Sequence, residues 1–133
     1  VQNSKRWRDM MKRKVVLSTF LVLFLAGCIG GKPAGDVNLG EELFTSKGCI
    51  SCHTIDGSEG TAPTLQGVFG HLVTLDTGVT LTADETYLKG SILDSDAKIV
   101  EGFQPGLMSA VVPPGSITDE EADNLVAYIK TLS

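Results

Sequence analysis

The stretch SKGCISCHT, Ser46 to Thr54, sets two cysteines three apart with a histidine directly after the second. Three chemistries use such spacing: a metal knuckle, a redox dithiol, and a group fixed covalently to the chain. Zinc wants four donors, usually two Cys-x-x-Cys or Cys/His pairs. Here the one other histidine is His71, and there is no second cysteine pair. A thioredoxin-type dithiol sits in a βαβ setting, which the pattern around Cys49 and Cys52 lacks. Covalent attachment is left, and the compartment of the protein decides whether it fits.

A second stretch, FLAGC at Phe24 to Cys28, speaks to the compartment. Lys5, Arg6, Arg8, Lys12, Arg13 and Lys14 form a basic run, and VVLSTFLVLFLA, Val15 to Ala26, follows without a charge. A basic start, a short apolar core and small residues at a cut site make an export signal. A transmembrane anchor is the alternative, but twelve helical residues rise only about 18 Å against a hydrocarbon core of about 30 Å. From Met10 the segment is already a complete short signal. Its end, LAGC, resembles the lipobox of bacterial lipoproteins, in which the cysteine is acylated and becomes the new N-terminus. Residues 1–27 are therefore expected to be an export signal of lipoprotein type. Cys28 is then the lipidation site, 28–36 a flexible tether rich in Gly and Pro, and 37–133 the folded domain.

Of the 133 residues, 11 are basic and 16 acidic, a formal net charge of −5. Six of the basic residues and one acid precede Cys28. The exported part thus carries 5 Lys, no Arg and 15 acids, a net of −10. Phosphate backbones would repel so acidic a domain, which excludes a nucleic-acid binder. A protein partner with a basic docking face suits it.

The pattern along 37–133 reads as mainly helical. VNLGEELFTSKG, Val37 to Gly48, predicts a helix with Asn38 as cap, Glu41 and Glu42 in the first turn, and Val37, Leu39, Leu43 and Phe44 on its apolar side. Val73, Leu75, Val79 and Leu81 alternate around DTG, a small β-hairpin near 72–81. Thr82 with Glu85 reads as a capping box for a helix over about Ala83 to Leu93. Glu101 to Gly115 reads as a loop rich in Pro and Gly. A second box, Thr118 with Glu121, opens a last helix whose stripe is Ala122, Leu125, Val126, Ile129 and Leu132. The core is thin, with five aromatic residues: Phe44, Phe69, Tyr87, Phe103 and Tyr128. A bound apolar cofactor would help to fill the centre.

Export and the motif together answer the opening question. Cys-x-x-Cys-His is the signature of c-type haem attachment, which takes place outside the cytoplasm. One covalent haem c is expected: the sulfurs of Cys49 and Cys52 add to its two vinyl groups, and His53 turns its imidazole to the iron. His/Met ligation is the common choice of cytochromes c. Met108 is the one methionine after the leader, 55 residues past His53. It is the expected second metal ligand, with His71 as its rival.

These residues resemble class I cytochromes c over about Asn38 to Leu132, nearly the whole exported domain. Gly40 and Phe44 resemble the glycine and aromatic of that family's first helix, and Tyr128 the aromatic that meets them. Pro63 and Leu65 in TAPTL resemble the loop whose proline carbonyl accepts the N–H of the proximal imidazole, and FQPGLM the loop that delivers the axial Met. The resemblance implies an all-α, class I cytochrome c fold around one haem, with cofactor contacts from Cys49, Cys52, His53, Pro63, Leu65 and Met108. GVFGHLVTLDTGVTLTADETYLKGSILD resembles most closely the cytochrome c domain of caa3-type oxidase subunit II, here standing alone as a lipoprotein. Two departures stand out. The exported part has no Arg or Trp for the haem propionates, leaving Lys98, Tyr87 and backbone N–H groups, and no proline follows Met108 directly.

The function implied is single-electron transfer between respiratory or photosynthetic chain components. The protein would be membrane-anchored on the outer face of the cytoplasmic membrane or in the periplasm. The alternative is a fixed haem subunit of a larger quinol-oxidising or oxidase complex. An enzyme of peroxidase type would need an open iron and a distal acid/base, and nothing near Met108 supplies a distal histidine with a partner. A sensor would need an output domain, which is not expected within residues 28–133, read as one tether and one haem domain.

Overall fold

The structure, a computed structural model, describes residues 35–132. The expected export signal at 1–27, the lipidation site Cys28 and the tether up to residue 34 lie outside the described residues. In chain order the elements are α1 (Val37–Ser46), a 3₁₀ turn (Cys49–Ser51), β1 (Leu72–Thr74), β2 (Thr80–Thr82), α2 (Glu85–Leu93), α3 (Leu107–Val111) and α4 (Asp119–Ile129). The chain adopts the expected all-α class with one small hairpin.

The two terminal helices cross at Gly40, and they do so because that residue has no side chain. A Cβ there would lie 2.1 Å from the Asn124 carbonyl oxygen and 2.8 Å from Tyr128 Cβ. One turn on, the rings of Phe44 and Tyr128 meet at 5.5 Å and 50°, a tilted pair of the kind that adds to area burial. At the start of α1, the Asp36 N–H donates to the buried Asn124 Oδ1 at 2.8 Å. Gly40→Ala should therefore cost about 3 kcal/mol, because the obstacle is α4 backbone that cannot rotate aside. That corresponds to a fall in melting temperature of about 15 °C. A melting temperature within about 4 °C of wild type would mean the helices do not cross here.

α4 serves two clusters. Ala122, Leu125 and Tyr128 pack with Phe44, Val112 and Ile117, while Val126 and Ile129 pack with Leu75, Ala83, Tyr87 and Leu88. Its start is the expected capping box: Glu121 N–H donates to Thr118 Oγ1 at 3.2 Å, and Thr118 N–H to Glu121 Oε2 at 2.8 Å. Lysines tie α4 to the other helices. Lys89 of α2 reaches Asp119 and Asp123, each at 2.7 Å, Lys47 reaches Glu121 at 2.9 Å, and Lys130 pairs with Glu85. Pairs this exposed contribute roughly 0–1 kcal/mol each, so the apolar crossing dominates.

The hairpin pairs Leu72 with Thr82, Val73 with Leu81 and Thr74 with Thr80. A later segment joins it, unforeseen from sequence. Leu75 bridges Val100, Asp76 N–H donates to the Ile99 carbonyl and Glu101 N–H to the Thr74 carbonyl, both at 2.9 Å.

Several local expectations need correction. Asp36, not Asn38, caps α1, accepting from the N–H groups of Asn38 and Leu39. With the helix starting at Val37, Glu41 and Glu42 fall past its first turn. Val37 and Leu39 are 41 % and 49 % exposed, because α4 takes the Gly40–Phe44 line instead. Thr82 does not cap α2; its backbone is paired within β2. Asp84 stands next to the helix with extended φ and ψ and accepts from Tyr87 N–H at 2.8 Å. The segment read as loop from Glu101 to Gly115 contains α3.

Candidate functional site

Gly48 ends the α1 connection and the chain coils into one 3₁₀ turn, with Ser51 N–H on the Gly48 carbonyl and Cys52 and His53 N–H groups on the Cys49 carbonyl. Side chains three apart eclipse in such a turn, so Cys49 and Cys52 share a side. Both are half-buried and neither is in a disulfide. Burial pushes the Cys49 thiol up, a hydrogen bond at its own backbone offsets this in part, and the neighbouring Cys52 adds to the rise. An attacking dithiol cysteine needs the opposite shift. Among the described residues no three His, Cys, Asp or Glu side chains are placed to hold a metal ion, which leaves a zinc site without its donors.

His53 faces a cavity of about 730 Å³, within the usual range for cofactor sites of about 300–1,000 Å³. The loop after the motif is closed by Ala62 N–H on the Cys52 carbonyl at 3.2 Å and Leu65 N–H on the Thr54 carbonyl at 2.8 Å. This closure brings the Pro63 carbonyl to 2.8 Å from His53 Nδ1. A carbonyl can only accept, so Nδ1 carries the proton and Nε2 keeps its lone pair. Burial pushes the imidazole below its ordinary pKa, against the pull of the Pro63 bond. Both effects suit a neutral ring with a free donor nitrogen.

Phe44 and Leu125 border the cavity from one core cluster, Tyr87, Leu88 and Ile129 from the other. Packed interiors leave few voids larger than a water. A domain with a net stability of roughly 5–15 kcal/mol gains by having such a space filled. Pro63, Leu65 and Met108 also line it, and Cys49 lies on its wall; Cys52 and His71 are not part of the lining. His71 is exposed, its Nδ1 3.3 Å from the Phe69 carbonyl. Lys98 lines the cavity with its ammonium 5.6 Å from the Tyr87 ring centre. Among the described lysines it alone forms no ion pair. Ser91 Oγ, also on the lining, is buried beside the Tyr87 hydroxyl, whose pKa burial raises and Ser91 lowers in part, so the two form a polar spot on the wall that a polar group on a bound cofactor would meet. A mostly apolar chamber with one free imidazole nitrogen, one thioether and a cysteine sulfur on its wall fits a haem.

Sequence reasoning missed Ser91 and the wall made by Ile99 and Val100. The wall depends on pairing 25 residues away in sequence, from Leu75 to Val100, and Ser91 follows from the helix face alone: it lies four residues after Tyr87.

The family profile described as Cytochrome c matches residues 37–133. The cytochrome c of Tetrahymena pyriformis is 31% identical over 107 residues, covering 75% of this chain and 92% of that protein. The cytochrome c of Guizotia abyssinica is 29% identical over 108 residues, covering 74% and 91%. Among solved structures, cytochrome cH from Methylobacterium extorquens is similar at 26% identity and a TM-score of 0.49, covering 73% of this chain and 99% of that one. Ferricytochrome c2 from Rhodopseudomonas palustris is similar at 19% identity and a TM-score of 0.51, covering 74% and 99%, which speaks for the fold alone. The chain belongs to the cytochrome c family, whose members bind a covalently attached haem c and are electron carriers for partner proteins, not enzymes.

Proposed function

We propose that this protein is a lipid-anchored monohaem electron carrier, with His53 and Met108 as axial ligands and Cys49 and Cys52 as the covalent attachment. The observation that carries the reading is that His53, fixed by Pro63, and Met108 line one apolar cavity from separate elements. When bound, the haem supplies a one-electron Fe(III)/Fe(II) couple. The chain does the rest. Cys49 and Cys52 hold the macrocycle in register with His53, the Pro63 carbonyl orients the imidazole, and the apolar walls exclude water. Such walls disfavour the extra charge of the oxidised form and raise the potential. With His53 and Met108 both holding the iron, there would be no seat for a substrate. Lys98 and Ser91 are the groups that would meet the propionates.

The finer parts rest on sequence. LAGC supports acylation of Cys28 and residence on the outer face of a membrane or in the periplasm. The hairpin ahead of α2 supports kinship with the cytochrome c domain of caa3-type oxidase subunit II, and a place in a respiratory or photosynthetic chain. Three of the four described lysines are spent on ion pairs, Lys47 and Lys89 with acids of α4 and Lys130 with Glu85 of α2. The remaining surface is acidic, which supports a partner with a basic face.

One experiment covers the proposal. Redox titration of membranes carrying the protein should give a single reversible one-electron step, and Cys28→Ser should move that step into the soluble fraction. A step of another electron number, or steady turnover of peroxide, overturns the carrier reading. A wild-type step already in the soluble fraction overturns the anchor.

A further inference from the structure

Met108 reaches the cavity from α3, a helix of five residues, too short to hold its own shape. Ser109, Ala110 and Val111 follow it, so no proline stiffens the chain at that point. The fold holds the turn in another way. Asp96 Oδ1 accepts from the Gly106 N–H at 2.8 Å, and Asp96 Oδ2 accepts from the Ser109 hydroxyl at 2.7 Å. The two donors flank Met108, one two residues before it and the other one residue after. Gly106 stands at φ 81, in the left-handed region that glycine enters without penalty, and there its N–H is free to reach the carboxylate ahead of the helix.

The acid is itself well placed to act as an anchor. It lies between the end of α2 at Leu93 and the Ile99–Val100 segment, which is bonded to the hairpin through Asp76 N–H and the Leu75 bridge. Both ends of its loop are thus tied to regular structure, while α3 is tied at its start through Asp96. Bonds to an ionised carboxylate are stronger than neutral ones. The Ser109 hydroxyl first and the Gly106 N–H second hold the Asp96 carboxyl below the usual range, so both bonds favour the charged form.

We propose that Asp96 is a positioning residue for Met108: its carboxylate clamps the turn on both sides of the thioether and keeps the sulfur on the iron. The inference rests on the reading of Met108 as an axial ligand. It assigns to Asp96 the stiffening that a proline after the methionine would give.

The test uses the haem-loaded full chain and the variants Asp96→Ala, Asp96→Asn and Ser109→Ala, with Asp94→Ala as an exposed neighbouring control. Two readouts follow the iron: the far-red absorption band of a thioether bound to ferric haem, and the rate of cyanide binding. Hydrogen exchange at the Gly106 N–H follows the clamp itself. Asp96→Ala should weaken the band and admit cyanide about fivefold faster, the scale on which an exposed charged contact shifts a local opening. Ser109→Ala should do less. Asp96→Asn should recover most of the band, since an amide oxygen still accepts from Gly106 and its NH₂ can donate to Ser109. Asp94→Ala should match wild type. If Asp96→Ala keeps the wild-type band and cyanide rate, the clamp is overturned. If Asp96→Ala takes up no haem, the two milder variants decide by the same readouts. Absence of the band in the wild type would instead overturn Met108 as ligand, a different result from failure of the clamp.

Discussion

Acidified organic solvent should leave the colour on the wild-type protein and strip it from the Cys49→Ala/Cys52→Ala double variant. Cys49 opens a 3₁₀ turn and Cys52 caps it, so one short stretch would supply both sulfurs to one edge of the macrocycle. Each thiol would add its S–H across a vinyl double bond of the haem, with no leaving group to place. Once attached, the haem cannot diffuse, and its effective concentration at the cavity no longer depends on supply. Without the thioethers, retention depends on His53, Met108 and apolar contact alone, and occupancy becomes a matter of mass action. Each single variant should keep one bond and therefore its colour. The double variant should also melt far below wild type, because the cavity of about 730 Å³ sits between the two clusters that α4 joins. Free extraction of haem from the wild type would sink the covalent reading. Rapid alkylation of Cys49 and Cys52 in the haem-loaded protein would sink it as well, since sulfurs in thioether bonds have no thiol to give.

What the sequence made visible were the features with local signatures. The Cys49–His53 spacing, the hairpin around DTG and the Thr118–Glu121 box each lie within a dozen residues and need no tertiary knowledge. The Gly40–Phe44–Tyr128 crossing was legible only through resemblance, because nothing local says that a helical glycine faces backbone. α3 was missed: five residues are too few for a period of 3.6 to declare itself among prolines and glycines. The caps of α1 and α2 were each misplaced by two residues. In both cases an Asp competed with another capping residue, and the choice was made elsewhere. Strand pairing claimed Thr82, and the Asn124 side chain fixed Asp36. The role of Val37 and Leu39 was misjudged for a related reason: a helix this near the surface buries only the line its one large neighbour accepts. The Asp96 contacts join residues ten and thirteen apart across a turn, and no periodicity announces such a pair.

Met108→Ala should convert a closed iron into an open one. Cyanide should bind without waiting for a protein ligand to leave, and the far-red thioether band should vanish entirely, where Asp96→Ala only weakens it. The potential should fall by a few tenths of a volt, within the roughly 0.8 V over which axial ligands tune haem. The direction follows from chemistry: a thioether is a soft, neutral donor that favours ferrous iron, and the water or hydroxide replacing it favours ferric. Folding should suffer less than function, because Met108 is half-buried and α3 keeps its hold on the core through Val112, whose N–H still reaches the residue-108 carbonyl at 2.7 Å. His71→Ala is the matched control. That histidine is exposed and off the cavity wall, so its loss should leave band, potential and cyanide rate as they were. The reverse pattern, with His71→Ala opening the iron and Met108→Ala leaving it shut, would require the hairpin to fold over the cavity. It would also move the axial ligand to an exposed residue whose ring nitrogen lies 3.3 Å from the Phe69 carbonyl. The two variants therefore separate a ligand delivered by α3 from one delivered by the hairpin. They do so through the iron's own spectrum, without any electron-transfer partner.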